Sequence, residues 1–290
     1  MEHRVTAAEA GRRVKDILRG VMGVSYSAMK SAKWDGRITV DGTPVAVDTV
    51  LREGQTVAMR WKDITPAYAV KPYPLGLNIP YADEHLLIID KPAPLASQSS
   101  ANHPDDALEN ALFAHFGCPE DFVYRPVNRL DKGTSGLMVV ARTPHSQHRL
   151  QSLLHTDGFN RVYLAVVEGH LPQHQGVINA PIGKEDAASI RRIITGSGKP
   201  SVTHYEVLEE TATRSLVRLQ LKTGRTHQIR VHMRHMGCPV CGDFLYGSEL
   251  DELPGRFALH SHELHLLHPL TGKALHIISP LPDALRVLLG

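Results

Sequence analysis

Cysteine is scarce in this chain: its 290 residues hold three, Cys118, Cys238 and Cys241. Three thiols close no even disulfide framework, so the sequence reads as a protein of a reducing compartment. Cys238 and Cys241 form one C-x-x-C, in "GCPVCGD", with no second C-x-x-C to complete a zinc set. They read as small buried thiols, and no metal is expected. Long apolar runs are missing too. None approaches the roughly 18 residues of a membrane span, and the opening "MEHRVTAAEAGRRVKDILRG" has no apolar signal core, so a cytoplasmic protein without a membrane partner is expected. Neither sign of charge dominates, with 32 Lys and Arg against 30 Asp and Glu. No internal repeat and no phosphate-cradling glycine loop is found, and no cofactor is expected.

What is present is an ordinary globular composition, 42% hydrophobic and 21% charged, on a chain longer than one core usually serves. Two domains are therefore the natural division. The segment "DITPAYAVKPYPLGLNIP" has four prolines and no helical period, and reads as an extended linker over about residues 63–78. Cations are unevenly spread. Residues 1–40 hold eight Lys or Arg against four Asp or Glu, and residues 184–234 hold ten against five. Clustered cations on a near-neutral chain point to a polyanion, although solvated faces look the same in sequence.

Ahead of the linker, "AGRRVKDILRGVMG" places Val14, Ile17, Leu18 and Val21 at helical spacing. "SYSAMKSAKWDG" is a second helix that Ser25 caps and Gly36 stops, "RITVDGTPV" is a hairpin, and "EGQTVAMRW" is another strand. Two helices and a small curled sheet over about residues 12–61 resemble the RNA-binding domain of the ribosomal protein S-four type. The resemblance implies phosphate contacts from Arg12, Arg13, Lys30, Lys33 and Arg37, in a small RNA-binding domain covering residues 1–62.

Beyond the linker, strand candidates rich in β-branched residues ("HLLIIDKP", "GLMVVART", "RVYLAVVEGH", "SVTHYEVLEE", "RSLVRLQLKT") alternate irregularly with helix candidates ("PDDALENALFAHF", "TPHSQHRLQSLLH", "THQIRVHMRHMG"). This pattern predicts an α+β domain, residues 79–290, on a mixed, mostly antiparallel sheet. In "VNRLDKGTSGLMVVA" a carboxylate, Asp131, stands before an apolar run. Alone it reads as a turn former, because Asp bonds its own backbone and Gly133 and Gly136 follow.

Four segments in order, "YADEHLLIIDKPAPLASQ", "NRLDKGTSGLMVVA", "RVYLAVVEG" and "LKTGRTHQIRVHMRHMGCPVCGD", resemble the motifs of the RluA family of pseudouridine synthases over about residues 79–280. The resemblance implies an isomerase that detaches a uracil from its ribose in RNA, turns it, and rejoins it through carbon five. It places the essential aspartate at Asp131, the tyrosine that lies against the uracil at Tyr163, and the arginine paired with the aspartate at Arg230. Arg129 falls on the arginine associated with pushing the nucleotide from its stack. Arg225 and His227 either touch RNA or cap and orient the helix they precede. Ile229, Met233 and Met236 read as a core stripe, and the histidines of "ALHSHELHLLHP" as strand residues with structural roles. Asn128, where many relatives have His, and "KPAPLASQ", where many have Lys-Pro-x-Gly, depart from the pattern and leave the substrate subgroup open.

Two other classes compete. A non-catalytic RNA-binding factor, for instance in ribosome assembly, explains the basic N-terminal segment but not the joint presence of Asp131, Tyr163 and Arg230. A metal-dependent nucleic-acid hydrolase needs clustered carboxylates, and Asp131 has only Arg129 and Lys132 as charged sequence neighbours. The expected partner is RNA, ribosomal RNA ahead of transfer RNA, and the expected state is a monomer.

Overall fold

The computed structural model describes residues 1–61, 69–154, 156–186 and 188–290. The chain divides into two compact units, Met1–Ala67 and Tyr68–Gly290. The expected linker, 63–78, lies partly outside the described residues. From residue 69 the chain has no regular structure until Asn78.

In the first unit, β1 (Glu2–Arg4), β2 (Ile38–Val40), β3 (Thr43–Pro44) and β4 (Thr56–Met59) form a sheet of order β1-β4-β2-β3. The turn between β2 and β3 has positive φ at Asp41 and Gly42, as the Asp-Gly pair predicts. Helix α2 (Tyr26–Trp34) is capped by Ser25, whose hydroxyl accepts the Ala28 N–H at 3.2 Å. The first helix departs from expectation. Only Val14–Asp16, α1, is α-helical, and Ile17–Val21 widens into a π turn in which the Met22 N–H reaches the Ile17 carbonyl. The extra residue in that turn moves the apolar phase on by one. Val14, Ile17 and Leu18 are buried as expected, but Met22 takes the inward position and Val21 is exposed.

The second unit is built on nine strands: β5 (Asn78–Ala82), β6 (Leu86–Lys91), β7 (Ser135–Ala141), β8 (Phe159–Glu168), β9 (Gln175–Asn179), β12 (Val202–Glu210), β13 (Arg214–Leu221), β14 (Leu259–Leu267) and β15 (Ala274–Ile278). A separate ribbon pairs β10 (Ile182–Lys184) with β11 (Arg192–Ile194). The strand order is β5-β6-β7-β14-β8-β13-β12-β9, with β15 added on β14, and the β7–β14 pair alone is parallel among these. An α+β fold on a mixed, mostly antiparallel sheet is what the pattern predicts.

Alternation along the central strands explains why both faces are dry. Leu87, Ile89, Met138 and Val140 join one core, while Leu86, Ile88, Leu137 and Val139 join the other. Each such side chain contributes about 1.5–3 kcal/mol on burial. Helices α3 (Leu108–His115), α4 (Pro144–Leu153), α5 (Gln228–His235) and α6 (Asp283–Arg286) complete the unit. Thr143 caps α4 by accepting the Ser146 N–H at 3.1 Å, and Pro144 fills its first turn. No described helix is long and apolar enough to cross a membrane.

The parallel contact of β7 with β14 depends on a glycine. Gly136 has φ +105°, and a Cβ there would overlap the Ser261 carbonyl oxygen. The "GTSG" segment thus sets the depth at which the strand after Asp131 enters the sheet.

Candidate active site

A cavity of about 470 Å³ opens in the second unit, a size ordinary for a small-molecule or nucleotide site. Its lining includes Asn128, Arg129, Asp131, Thr134, Arg161, Tyr163, Arg225, His227 and Arg230. Six residues singled out in the sequence, Arg129, Asp131, Tyr163, Arg225, His227 and Arg230, thus surround one space although they lie far apart along the chain.

Asp131 sits in a loop pinned from both sides. Its own carbonyl accepts the Thr134 N–H at 3.0 Å, so a turn is present as the bare sequence suggests, but this bond is made by the main chain and not by the carboxylate. Leu95 donates to the Lys132 carbonyl at 3.0 Å, Phe257 donates to the Gly133 carbonyl at 2.9 Å, and the Ser97 hydroxyl engages both Leu130 backbone groups. Fully buried Lys91 donates its ammonium to the carbonyls of Pro92, Leu95 and Lys132 at 3.0, 2.8 and 3.4 Å. Burial pushes Lys91 down to about 7, opposed by Asp131. Three carbonyl acceptors around Nζ are the arrangement an ammonium requires, so near neutral pH we take it as charged. With the loop backbone fixed, the turn and the outward carboxylate are compatible: the main chain makes the turn and the side chain points elsewhere.

The carboxylate meets Arg230, whose Nη1 donates to Asp131 Oδ2 at 2.9 Å. Arg230 is itself locked. Its Nε and Nη2 donate to the two oxygens of Asp243 at 2.6 and 2.8 Å, a bidentate fork. Fully buried Asp243 also accepts the N–H groups of Leu245 and Tyr246. The guanidinium lies 3.8 Å from the centroid of the Phe257 ring and 4.9 Å from that of Tyr246. One edge of the cation is therefore spent on a fixed partner, and an Nη1 N–H is held toward Asp131. Two carboxylates share an arginine here, whereas a two-metal hydrolase would have them share cations.

Helix α5 carries Arg230 and is bolted by polar groups. His227, at its N-cap with φ +58°, takes a conformation rare for a non-glycine residue. Gln228 accepts from the Arg225 N–H and the Thr223 hydroxyl and donates to the Val202 carbonyl and the Thr203 hydroxyl. His232 bonds Thr203 and the Ala180 carbonyl. Ile229 and Met233 are buried and Met236 packs against the core, the stripe expected from their spacing.

His227 has Nε2 4.0 Å from Asp131 and Nδ1 2.8 Å from the Tyr246 hydroxyl. Burial lowers its pKa, which keeps the imidazole neutral near pH 7 despite Asp131. The Arg225 side chain bonds the Pro200 carbonyl at 3.1 Å. Arg129 is exposed at the cavity. Tyr163, 4% exposed, stands on β8 beside Arg161 and opposite Ser261 of β14. Burial raises its phenol above the ordinary range, against the pull of Arg161. Asn128, at the departure position, accepts the Val139 N–H at 2.9 Å.

Asp243, Tyr246, Phe257, Lys91 and Arg161 were not singled out in the sequence. Asp243 could have been, because an arginine expected to face a carboxylate inside a protein needs a second anion or polar partner, and "CGDFLYG" follows its helix. Tyr246 and Phe257 carry no such signal. Cys238 donates its thiol to the His170 carbonyl at 3.2 Å, and burial raises both the Cys238 and Cys241 thiols, which keeps them protonated.

The cations of the first unit are arranged differently. Arg13 and Lys15 both pair with Asp48, at 3.2 and 2.6 Å. Arg37 is occupied by Asp35, Ser31 and the Arg60 carbonyl. Arg12, Lys30 and Lys33 are exposed, Lys33 lying 5.5 Å from the Trp34 ring centroid and Arg12 donating to the Asp16 carbonyl at 3.4 Å.

The sequence pattern of the RNA pseudouridylate synthase family matches residues 85–235, which contain Asp131, Tyr163 and Arg230. An uncharacterised RNA pseudouridine synthase of Bacillus subtilis, YjbO, is 36% identical over 93% of this chain and 96% of its own length. Ribosomal large subunit pseudouridine synthase D of Pseudomonas aeruginosa is 36% identical over 97% of this chain and 92% of its own. Among solved structures, human RNA pseudouridylate synthase domain containing 1 superposes with a TM-score of 0.60 at 27% identity, covering 72% of this chain and 87% of that one. A chain with this pattern, these relatives and this fold belongs to the RluA family of RNA pseudouridine synthases.

Proposed function

We propose that the protein converts specific uridines of large-subunit ribosomal RNA to pseudouridine, with Asp131 as its catalytic group. The observation that carries the reading is the chain Asp243–Arg230–Asp131, which presents one carboxylate to a cavity walled on another side by buried Tyr163. The relatives named as ribosomal large subunit synthases favour ribosomal RNA over transfer RNA.

Isomerisation needs no net redox change. The bond from ribose C1′ to uracil N1 breaks, the electron pair leaving with the base. The base turns, C5 bonds to C1′, and the proton lost from C5 is balanced by one taken up at N1, so product and substrate are isomers. Asp131 serves either as a nucleophile or as a base for the sugar's 2′ proton. Arg230 fixes the carboxylate and holds it apart from Asp243. A paired target must first be flipped, at a cost of a few kcal/mol that stacking on Tyr163 offsets in part, with Arg129 at the opening to occupy the vacated stack.

The first unit, of the S-four type, supplies phosphate contacts through Arg12, Lys30 and Lys33. Arg13 and Arg37, with local partners, contribute less. The protein acts as a cytoplasmic monomer. Mapping pseudouridines in total RNA from cells with and without the gene tests the reading: loss at one or a few large-subunit sites is expected. An unchanged map alongside a defect in ribosome assembly would favour a non-catalytic binding factor.

A further inference from the structure

One histidine-rich segment plays no part in the site around Asp131. The strand β14 reads "LHSHELHLL", and β15, which pairs with β14 along one edge, adds His276 directly opposite His265. The two imidazoles stack with centroids 4.0 Å apart. Glu263, two residues before His265 and so on the same face, places Oε2 3.0 Å from His265 Nε2 and 3.7 Å from His276 Nε2. A register shift between Ser261 and Glu263 brings His262 alongside, its Nε2 3.5 Å from Glu263 Oε1.

From this arrangement we propose that Glu263, His265 and His276, with His262 against the other oxygen of Glu263, bind one first-row divalent transition ion, zinc in the first instance. One ligand atom from each of the first three residues lies within 4.8 Å of the others. Glu263 Oε2 stands 3.0 Å from His265 Nε2 and 3.7 Å from His276 Nε2, which bracket the separation of about 3.4 Å between ligands on a tetrahedral ion with bonds near 2.1 Å. In the structure the two rings are stacked, so binding would turn half-exposed His276 out of the stack to aim its lone pair at the ion. His262 is fixed beside the carboxylate: its Nδ1 donates to the Ser279 carbonyl at 2.6 Å, and its Nε2 lies 3.5 Å from Glu263 Oε1. Imidazoles with a single carboxylate suit zinc, nickel or copper and not magnesium or calcium, which require oxygen donors.

The ion would tie β15 to β14, stapling a strand whose sheet partner among the described residues is β14 alone. This departs from the expectation that no metal binds and that these histidines only pack. It is independent of catalysis, because none of the four residues lines the cavity around Asp131.

Tag-free, metal-stripped protein titrated with zinc chloride by calorimetry tests the inference. One equivalent should bind the wild type, and His265→Gln/His276→Gln should bind at least about tenfold more weakly. Zinc should raise the melting temperature of the wild type and leave that of the variant unchanged, and magnesium should do neither. Glu263→Gln, which keeps every imidazole, is the check against a variant that fails to fold, and should also weaken binding. Absence of wild-type binding, equal binding by the variants, or abolished binding in Cys238→Ser/Cys241→Ser instead would overturn it.

Discussion

The two compact units use cations in opposite ways. In Met1–Ala67, Arg12, Lys30 and Lys33 stand in solvent and even the paired ones, Arg13 and Lys15, share a half-exposed Asp48. In Tyr68–Gly290, Arg230 is buried and its side-chain hydrogen bonds go to two carboxylates. Exposed pairs contribute about 0–1 kcal/mol and are screened by salt, whereas a buried pair costs several kcal/mol to break. The first arrangement suits the adjustable polyanion affinity proposed for that unit; the second fixes the geometry of the Asp131 carboxylate, the proposed reacting group.

The sharpest way to break that contrast is at Asp131. Asp131→Asn keeps the turn made by its backbone but removes the charge, and should lower the rate by about 10³-fold or more, within the range of positioned acid–base or nucleophilic groups. Release of tritium from carbon-five-labelled uridine in RNA reads the rate, and retained RNA affinity shows that the surface cations are untouched. Next comes Asp243→Asn, which never touches substrate. An amide facing the guanidinium leaves an uncompensated buried charge, so stability should fall by about 3–5 kcal/mol. Activity of the folded fraction should fall as well, because Arg230 can swing off Asp131. Denaturant unfolding beside single-turnover rates separates the two effects.

What could be read from sequence alone differs between the units for physical reasons. Strands with both faces buried, such as "LLIID" and "LMVV", announce themselves by unbroken apolar runs, and four of the cavity residues, Arg129, Asp131, Tyr163 and Arg230, follow from motif resemblance, while Arg225 and His227 stay open in the sequence between RNA contact and helix capping. Asp243 carried only an indirect signal, an acid following the helix of Arg230, and the pairing that makes it important is created by the packing of α5. The displaced inward position at Met22 was invisible because a π turn leaves no mark in a period of 3.6. Among the basic residues of the first unit, nothing in their spacing separates Arg37, which is internally bonded, from Lys30, which is exposed.

A smaller effect follows from buried neutral histidines in the second unit. Burial pushes His145 and His260 down to about 4, and His260 bonds both Ser135 and the Ser279 carbonyl in its neutral form. The unfolded chain takes up these protons near pH 6.5 while the folded one resists until about pH 4. Stability should therefore be full above pH 6.5 and fall as pH drops toward 4, by about 1–3 kcal/mol per histidine. Urea midpoints across that window check it, and His260→Gln should flatten the dependence.

The smallest effect on the chemical step belongs to the exposed cations. Arg12→Ala/Lys30→Ala/Lys33→Ala should weaken RNA binding and lower the slope of log affinity against log salt by about 0.7–0.9 for each phosphate no longer neutralised. Single-turnover tritium release at saturating RNA, measured across a salt series for wild type and this triple variant, tests the division of labour most directly. The account predicts a flatter salt dependence of affinity with rates at saturation within about tenfold of wild type, a barrier change under about 1.4 kcal/mol. Unchanged affinity with a collapsed rate at saturation would contradict it, since the first unit would then be shaping the active site instead of holding RNA.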